Sequence, residues 1–180
     1  ATPPDGKTLV YPSDGCWAVS VDGDPDRPRV SEPRKCFDGP DRAVDGDLSP
    51  DGRWLAYATQ LSQSEIYVRS FPDTGGKWQV SLGGGGRPAW SWRASELLFV
   101  SAREELMTAP YRILGNSFSS GTPKRWPTPS IFDGQRLYTV APDDRSVIML
   151  VSDDVSPQQE QRVSILLNFL DEVRRRLSGQ

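Results

Sequence analysis

The chain has 180 residues, a formal net charge of −3 and a pI near 5.0. That acidic balance argues against a nucleic-acid ligand, which needs a basic face, and no apolar run approaches the roughly 20 residues of a membrane-spanning helix. With His 0, a Ser-His-Asp triad, a histidine acid–base pair and an imidazole metal ligand are all excluded.

Gly 16 and Pro 16 recur at intervals and punctuate turns in what reads as a β-rich chain. The first element follows such a turn: Pro4-Asp5-Gly6 leads into an expected strand from Lys7 to Tyr11. Ser13-Asp14-Gly15 turns the chain into a second strand, Cys16 to Val21. Asp22, Asp24 and Asp26 resemble the opening of a calcium loop. However, the EF-hand glycine position falls on Arg27 and the bidentate glutamate position on Pro33, so a solvated acidic hairpin is expected instead. A weak strand is expected somewhere in Arg29 to Phe37. Cys16 and Cys36 are either two buried free thiols or a disulfide. Their places beside neighbouring strands lead us to expect the bond, which suits an extracytoplasmic compartment. Two cysteines without histidine cannot make a zinc site.

The next stretch is the most regular. A strand over Ala43 to Leu48 meets Ser49-Pro50-Asp51-Gly52, a tight turn by its own chemistry, and Arg53 to Thr59 follows as a buried strand. Glu65 to Phe71 alternates, with Ile66, Val68 and Ser70 on one face and Tyr67, Arg69 and Phe71 on the other. Pro72 to Gly76 turns the chain into an outer strand, Trp78 to Leu82. Gly83 to Gly86 lacks the Gly-Lys-Ser/Thr of a phosphate loop and is expected to be a flexible link to a strand opening at Arg87 to Ser91. Further strands are expected at Glu96 to Val100, Leu106 to Tyr111, near Thr122 to Trp126, at Arg136 to Ala141, Ser146 to Ser152 and Val163 to Leu167. Asn168 to Leu177 reads as a helix: Asn168 caps it, Asp171 and Glu172 lie in its first turn, and Arg174 to Arg176 lie near its end.

The turn-plus-strand phrase recurs at Pro4, Pro50, Trp92 and Pro142, about 46, 42 and 50 residues apart, a period of one propeller blade per repeat. The expected fold is therefore all-β: a β-propeller of about four four-stranded blades with a short C-terminal helix. The repeats are 1–42, 43–86, 87–134 and 135–167, with the helix at 168–177. The first repeat begins without an inner strand, so the chain is expected to be part of a larger ring. It would form an open arc or strained small ring with a reactive edge at Lys7 to Tyr11, prone to self-association or peptide strand addition.

Three phrases carry a family resemblance: Ser49 to Tyr57; Glu65 to Pro72 with Lys77 to Ser81; and Leu167 to Glu172. Over roughly residues 40 to 177, and more loosely over 4 to 22, the chain resembles the TolB-like, Pro-Asp-Gly class of WD-related β-propellers. Within that class it is similar to the C-terminal part of propellers attached to bacterial serine/threonine kinases. Trp92-Arg93-Ala94 departs from Pro-Asp-Gly, and no kinase domain is present, so no kinase activity is carried over.

Fold and missing chemistry together point to a non-catalytic binding or sensor module for a small ligand or a protein or peptide partner. It is expected to act outside the cytoplasm, in the periplasm or at the cell surface, with no cofactor and no metal. The alternative is a carboxylate-based hydrolase or lyase using Asp45, Asp47, Asp143 and Asp144 at the propeller mouth. Inner strands and their end loops line a propeller's channel, which nominates Asp47, Arg87, Trp90, Arg136 and Tyr138 as ligand contacts. For Trp90 a core position competes with that role.

Overall fold

The computed structural model describes residues 7–13, 15–24, 27–38, 41–59, 63–126, 138–141 and 147–149. The chain divides into Ala1–Leu150 and Val151–Gln180, and all described residues lie in the first unit. The expected strand at Val163 to Leu167 and the helix at 168–177 therefore lie outside the described residues.

Four antiparallel sheets follow one another along the chain, and no helix occurs among the described residues. The first holds β1 (Thr8–Pro12), β2 (Cys16–Asp24) and β3 (Arg27–Val30), with β4 (Arg34–Lys35) also on β2. The second has β5 (Ala43–Leu48), β6 (Trp54–Thr59), β7 (Ile66–Ser70) and β8 (Lys77–Gln79) in that order. The third runs β9 (Gly85–Trp90), β10 (Glu96–Ser101), β11 (Leu106–Leu114) and β12 (Ser117–Ser120), with β13 (Lys124–Arg125) also on β11. The fourth pairs β14 (Tyr138–Val140) with β15 (Val147–Met149).

Several expectations shift. The acidic segment is a hairpin whose first two aspartates end β2, with Asp22 opposite Arg29 and Asp24 opposite Arg27. The weak strand after it splits into β3 and β4. Ser117–Ser120 was not anticipated: it folds back on the far half of β11 and buries Phe118. The glycine run is not wholly a link, because Gly85 and Gly86 open β9. The Glu65 carboxylate accepts the Gly83 and Gly84 N–H groups at 3.0 Å each, so those amides are committed inside the fold and form no phosphate cradle. β1 stands at the end of its sheet's strand order and pairs with β2, and Lys7 and Val10 make further interactions of their own.

The Ser-Pro-Asp-Gly turn works through its first and third residues. Ser49 Oγ accepts the Trp54 N–H at 3.0 Å and donates to Asp51 Oδ1 at 2.5 Å, while Gly52 N–H donates to Ser49 O at 2.8 Å. Gly52 sits at φ 68°, where a side chain would be strained. The third sheet builds a similar turn without Pro-Asp-Gly: Ser91 N–H donates to Glu96 O at 3.0 Å, and Ser91 Oγ accepts the Ala94 N–H at 2.9 Å. The buried serine, not the proline, is the common part.

Strand alternation sends opposite faces into different cores. On β6, Trp54, Ala56 and Ala58 enter one core with Ile66 and Val68 of β7, Trp90 of β9, Leu97 and Phe99 of β10, and Phe118. Leu55 and Tyr57 enter another with Val10, Cys16, Ala18, Cys36 and Phe37 of the first sheet region. Leu98 of β10 joins Ala89, Leu106 and Val140 in a third. Each core thus fills the gap between successive sheets. The expected alternation of β7 is observed: Ile66 and Val68 lie in the first core, and Tyr67 and Phe71 pack on the second.

One further tie lies in the first sheet region and another in the second. Cys16 and Cys36 form a disulfide with Cα atoms 5.3 Å apart. Asp41, in the link before β5, accepts Lys77 Nζ at 2.7 Å and the Tyr57 hydroxyl at 2.9 Å, with Arg69 at 3.4 Å. Burial alone would raise the Asp41 carboxyl, but Lys77, Tyr57 and Arg69 together hold it below its ordinary value.

Candidate functional site

Inner strands β5 and β9 are not a hydrogen-bonded pair, so something other than a ladder must satisfy their facing groups. Both carry a register shift. On β5, Ala43 pairs with Thr59 but Asp45 with Ala58, which leaves Val44 as an extra residue. On β9, Gly86 pairs with Val100 but Ala89 with Leu98, so Arg87 and Pro88 stand against Phe99 alone. Such bulges re-aim side chains. The sequence reads Arg87 as extended, because the residue before a proline avoids helical backbone. The bulge overrides that preference and holds Arg87 at φ 53°.

The residues i and i+2 on β5 supply what the ladder lacks. Asp47 Oδ2 accepts the Trp90 N–H at 2.9 Å, and the Asp47 carbonyl accepts the Trp90 indole N–H at 3.0 Å. Asp45 accepts the Arg87 backbone N–H and has the Arg87 charge beside it. From the other side, the Tyr138 hydroxyl donates to the Arg87 carbonyl at 2.7 Å. Desolvation raises the Asp47 carboxyl above its ordinary value despite the Trp90 N–H, and raises Asp45 despite Arg87. Burial also raises the Tyr138 phenol, with Asp47 adding to the rise and Arg87 opposing it.

Above this lacing lies an open cavity of about 370 Å³ whose wall includes Asp45, Ser64, Gly86, Arg87, Ser101 and Glu104. Glu104 stands at φ 60°; with Arg87 it is one of the two non-glycine residues at positive φ among the described residues, and both line this cavity. Left-handed backbone in ordinary residues is strained and gathers at ligand clamps. Ser101 fixes the Glu104 loop, with its carbonyl accepting Glu104 N–H at 3.0 Å and its hydroxyl accepting Glu105 N–H at 3.3 Å.

Of the nominated residues, Asp47, Arg87, Trp90 and Tyr138 come together, but only Arg87 is among the cavity-lining residues. Trp90 is 3% exposed and packs edge-on to Tyr111 at 5.0 Å, within the core between the second and third sheets. Asp47 serves the lacing. Arg136, Asp143 and Asp144 lie outside the described residues. Glu104, Gln63 and Ser64 escaped the sequence reading, although the Ser101-Ala102-Arg103-Glu104 turn was visible as a polar break between two apolar strands. Among the described residues no cluster of His, Cys, Asp or Glu can hold a metal ion, and no helix is long and apolar enough to cross a membrane.

Successive antiparallel sheets packed face to face, with inner strands meeting around a shared cavity, define a β-propeller fold of the TolB kind. No protein-family model and no curated protein sequence matches the chain. Solved structures are: one is the crystal structure of TolB from Acinetobacter baumannii, with a TM-score of 0.53 and 17% sequence identity over 86% of this chain. The chain spans 37% of the length of that TolB chain, and the likeness is one of fold.

Proposed function

We propose that this chain is a non-catalytic binding or sensor module, a segment of about four four-stranded blades from a larger β-propeller. Its site is the cavity beside Arg87. The observation that carries the reading is the convergence of both strained, charged residues, Arg87 and Glu104, on one open cavity. A fold-level likeness alone would say nothing of a site. The resemblance to kinase-attached propellers favours a sensor role, and the Cys16–Cys36 bond favours an extracytoplasmic place.

The carboxylate-hydrolase alternative is the weaker reading. Asp45 and Asp47 have oxygens committed to β9 amides, whereas a glycosidase needs its pair directed at a substrate. A thermal-shift screen of small polar and charged ligands tests the proposal. A ligand that raises the melting temperature of the wild type and fails to do so for Arg87→Ala is the expected result. Turnover of a glycoside or lactone that disappears in Asp47→Asn while the fold is retained would overturn it.

A further inference from the structure

The turn-plus-strand phrase puts the same two residues on the same face of three sheets. Leu55 and Tyr57 of β6 correspond to Leu97 and Phe99 of β10 and to Leu9 and Tyr11 of β1. In the second and third sheets these residues share a core with the sheet before: Leu55 and Tyr57 with Val10, Ala18 and Phe37, and Leu97 and Phe99 with Trp54, Ala56 and Val68. All four are at most 2% exposed. Leu9 and Tyr11, in contrast, are 41% and 36% exposed.

Register extends this face beyond β1, because residues directly opposite each other in an antiparallel pair share a face. Leu9 stands opposite Val19 and Tyr11 opposite Trp17. Val21, two places on from Val19, stands opposite Val30. Val10 and Ala18 alternate to the other face, in the core shared with the second sheet. Leu9, Tyr11, Trp17, Val19, Val21 and Val30 therefore form one apolar surface, with Val30 62% exposed. Lys7, opposite Val21, and Lys35, opposite Trp17, stand at opposite corners of it. The Trp17 indole N–H donates to the Ser13 carbonyl at 2.6 Å, which fixes the largest side chain of the surface. Three of the six large hydrophobics exposed among the described residues, Leu9, Tyr11 and Val30, lie on this one face. Apolar side chains gathered in that way mark an interaction surface.

We infer that this surface seats a second copy of the chain, whose fourth sheet packs on it as the first sheet packs on the second and the second on the third. The repeat names the occupant: where this face is covered, a preceding sheet of the same kind covers it. The fourth sheet of the same copy leaves Leu9 and Tyr11 exposed. Two head-to-tail copies of about four sheets each complete a ring of about eight, within the range in which propellers close. A two-fold axis makes the two contacts identical and closes the assembly. The inference rests on the reading of the chain as a segment of a larger propeller, and the Arg87 cavity plays no part in it.

Sedimentation velocity on the intact chain from about 1 to about 100 μM tests it. The expected result is a shift from the 20.0 kDa chain to twice that mass and no further. Leu9→Lys and Tyr11→Lys should each weaken the dimer by about tenfold or more. Neither should lower the melting temperature of the dilute chain, because both side chains are exposed. Leu114→Lys, at an exposed apolar residue of the third sheet, should leave the dimer unchanged. Ile148 of β15, opposite Thr139, holds the place of Ala56 and Leu98 in the phrase, so Ile148→Lys should break the contact from its other side. If that variant melts lower than wild type when dilute, Ile148→Thr takes its place. Mixing the Leu9 and Ile148 variants leaves one of the two contacts intact, so dimers that neither forms alone should return. A chain that stays at 20.0 kDa throughout, or a dimer indifferent to Leu9→Lys and Tyr11→Lys, would overturn the inference. Failure of the mixture to recover dimers would overturn the head-to-tail contact, and growth beyond two copies would overturn the closed ring. None of these outcomes bears on the Arg87 cavity, which the small-ligand screen tests separately.

Discussion

Replacing Arg87 by two small residues separates its backbone strain from its side chain. Arg87→Ala and Arg87→Gly both remove the guanidinium and all its contacts, but only glycine adopts φ 53° without steric conflict. An L-residue in the left-handed region costs about 1–2 kcal/mol, and the greater freedom of glycine in the unfolded chain returns about 0.5–1 kcal/mol of that. Pro88 adds to the strain on the alanine variant. The glycine variant is therefore expected to be more stable than the alanine variant by about 1 kcal/mol, or about 2–4 °C in melting temperature for a chain of this size. Urea unfolding followed by tryptophan fluorescence measures the difference. Both variants are expected to lose ligand binding alike. Equal stability, or a more stable alanine variant, would mean that no left-handed bulge exists at Arg87, and the account of the site would lose its foundation.

Four other perturbations probe the frame around the site. Asp47→Ala leaves the Trp90 N–H without its acceptor and is expected to cost about 2 kcal/mol, whereas Asp47→Asn keeps an acceptor and removes a desolvated charge, so it should be as stable as wild type or more so at neutral pH. Because the folded Asp47 carboxyl titrates above its ordinary 3.8, the penalty of its charge is relieved as the pH falls through that raised value, and any advantage of Asn should shrink there. Asp41 behaves oppositely: its folded value lies below 3.8, so Asp41→Asn should destabilise by about 2 kcal/mol at neutral pH. Its difference from wild type should fade as acid drops through the lowered value, as read by thermal denaturation at stepped pH. Gly52→Val, at φ 68°, should cost about 1 kcal/mol or more. Opening the Cys16–Cys36 loop, 20 residues in separation, by the double serine substitution should cost about 3 kcal/mol in urea unfolding.

Much of the frame was legible because it is written locally. Ser49 to Tyr57 contains its own turn chemistry and its own buried strand, and the alternation of Ile66 to Phe71 was enough to assign its two faces. The site was less legible because its decisive features are not local. Whether Arg87 bulges depends on how many residues of β9 must be fitted against β10, a count that nothing in Arg87-Pro88-Ala89 records. The lacing by Asp45 and Asp47 likewise depends on which backbone amides of another sheet lie opposite. Trp90 illustrates the converse: a tryptophan on an inner strand suits a ligand platform or a core, and the structure places it beside Tyr111 and Phe118 in the core. Phe118, isolated among serines and glycines, gave a single apolar residue where strand periodicity needs several.

The central claim is that the strained cavity between β5, β9 and the Ser101 turn is where this chain binds. Amide chemical-shift mapping with any ligand that raises the melting temperature tests it most directly. The account expects the largest shifts at Gly84, Gly86, Arg87, Ser101, Ala102 and Glu104, and their loss in Arg87→Ala. Largest shifts on a distant surface, such as the β11–β12 hairpin around Gly115, that persist in Arg87→Ala would contradict it.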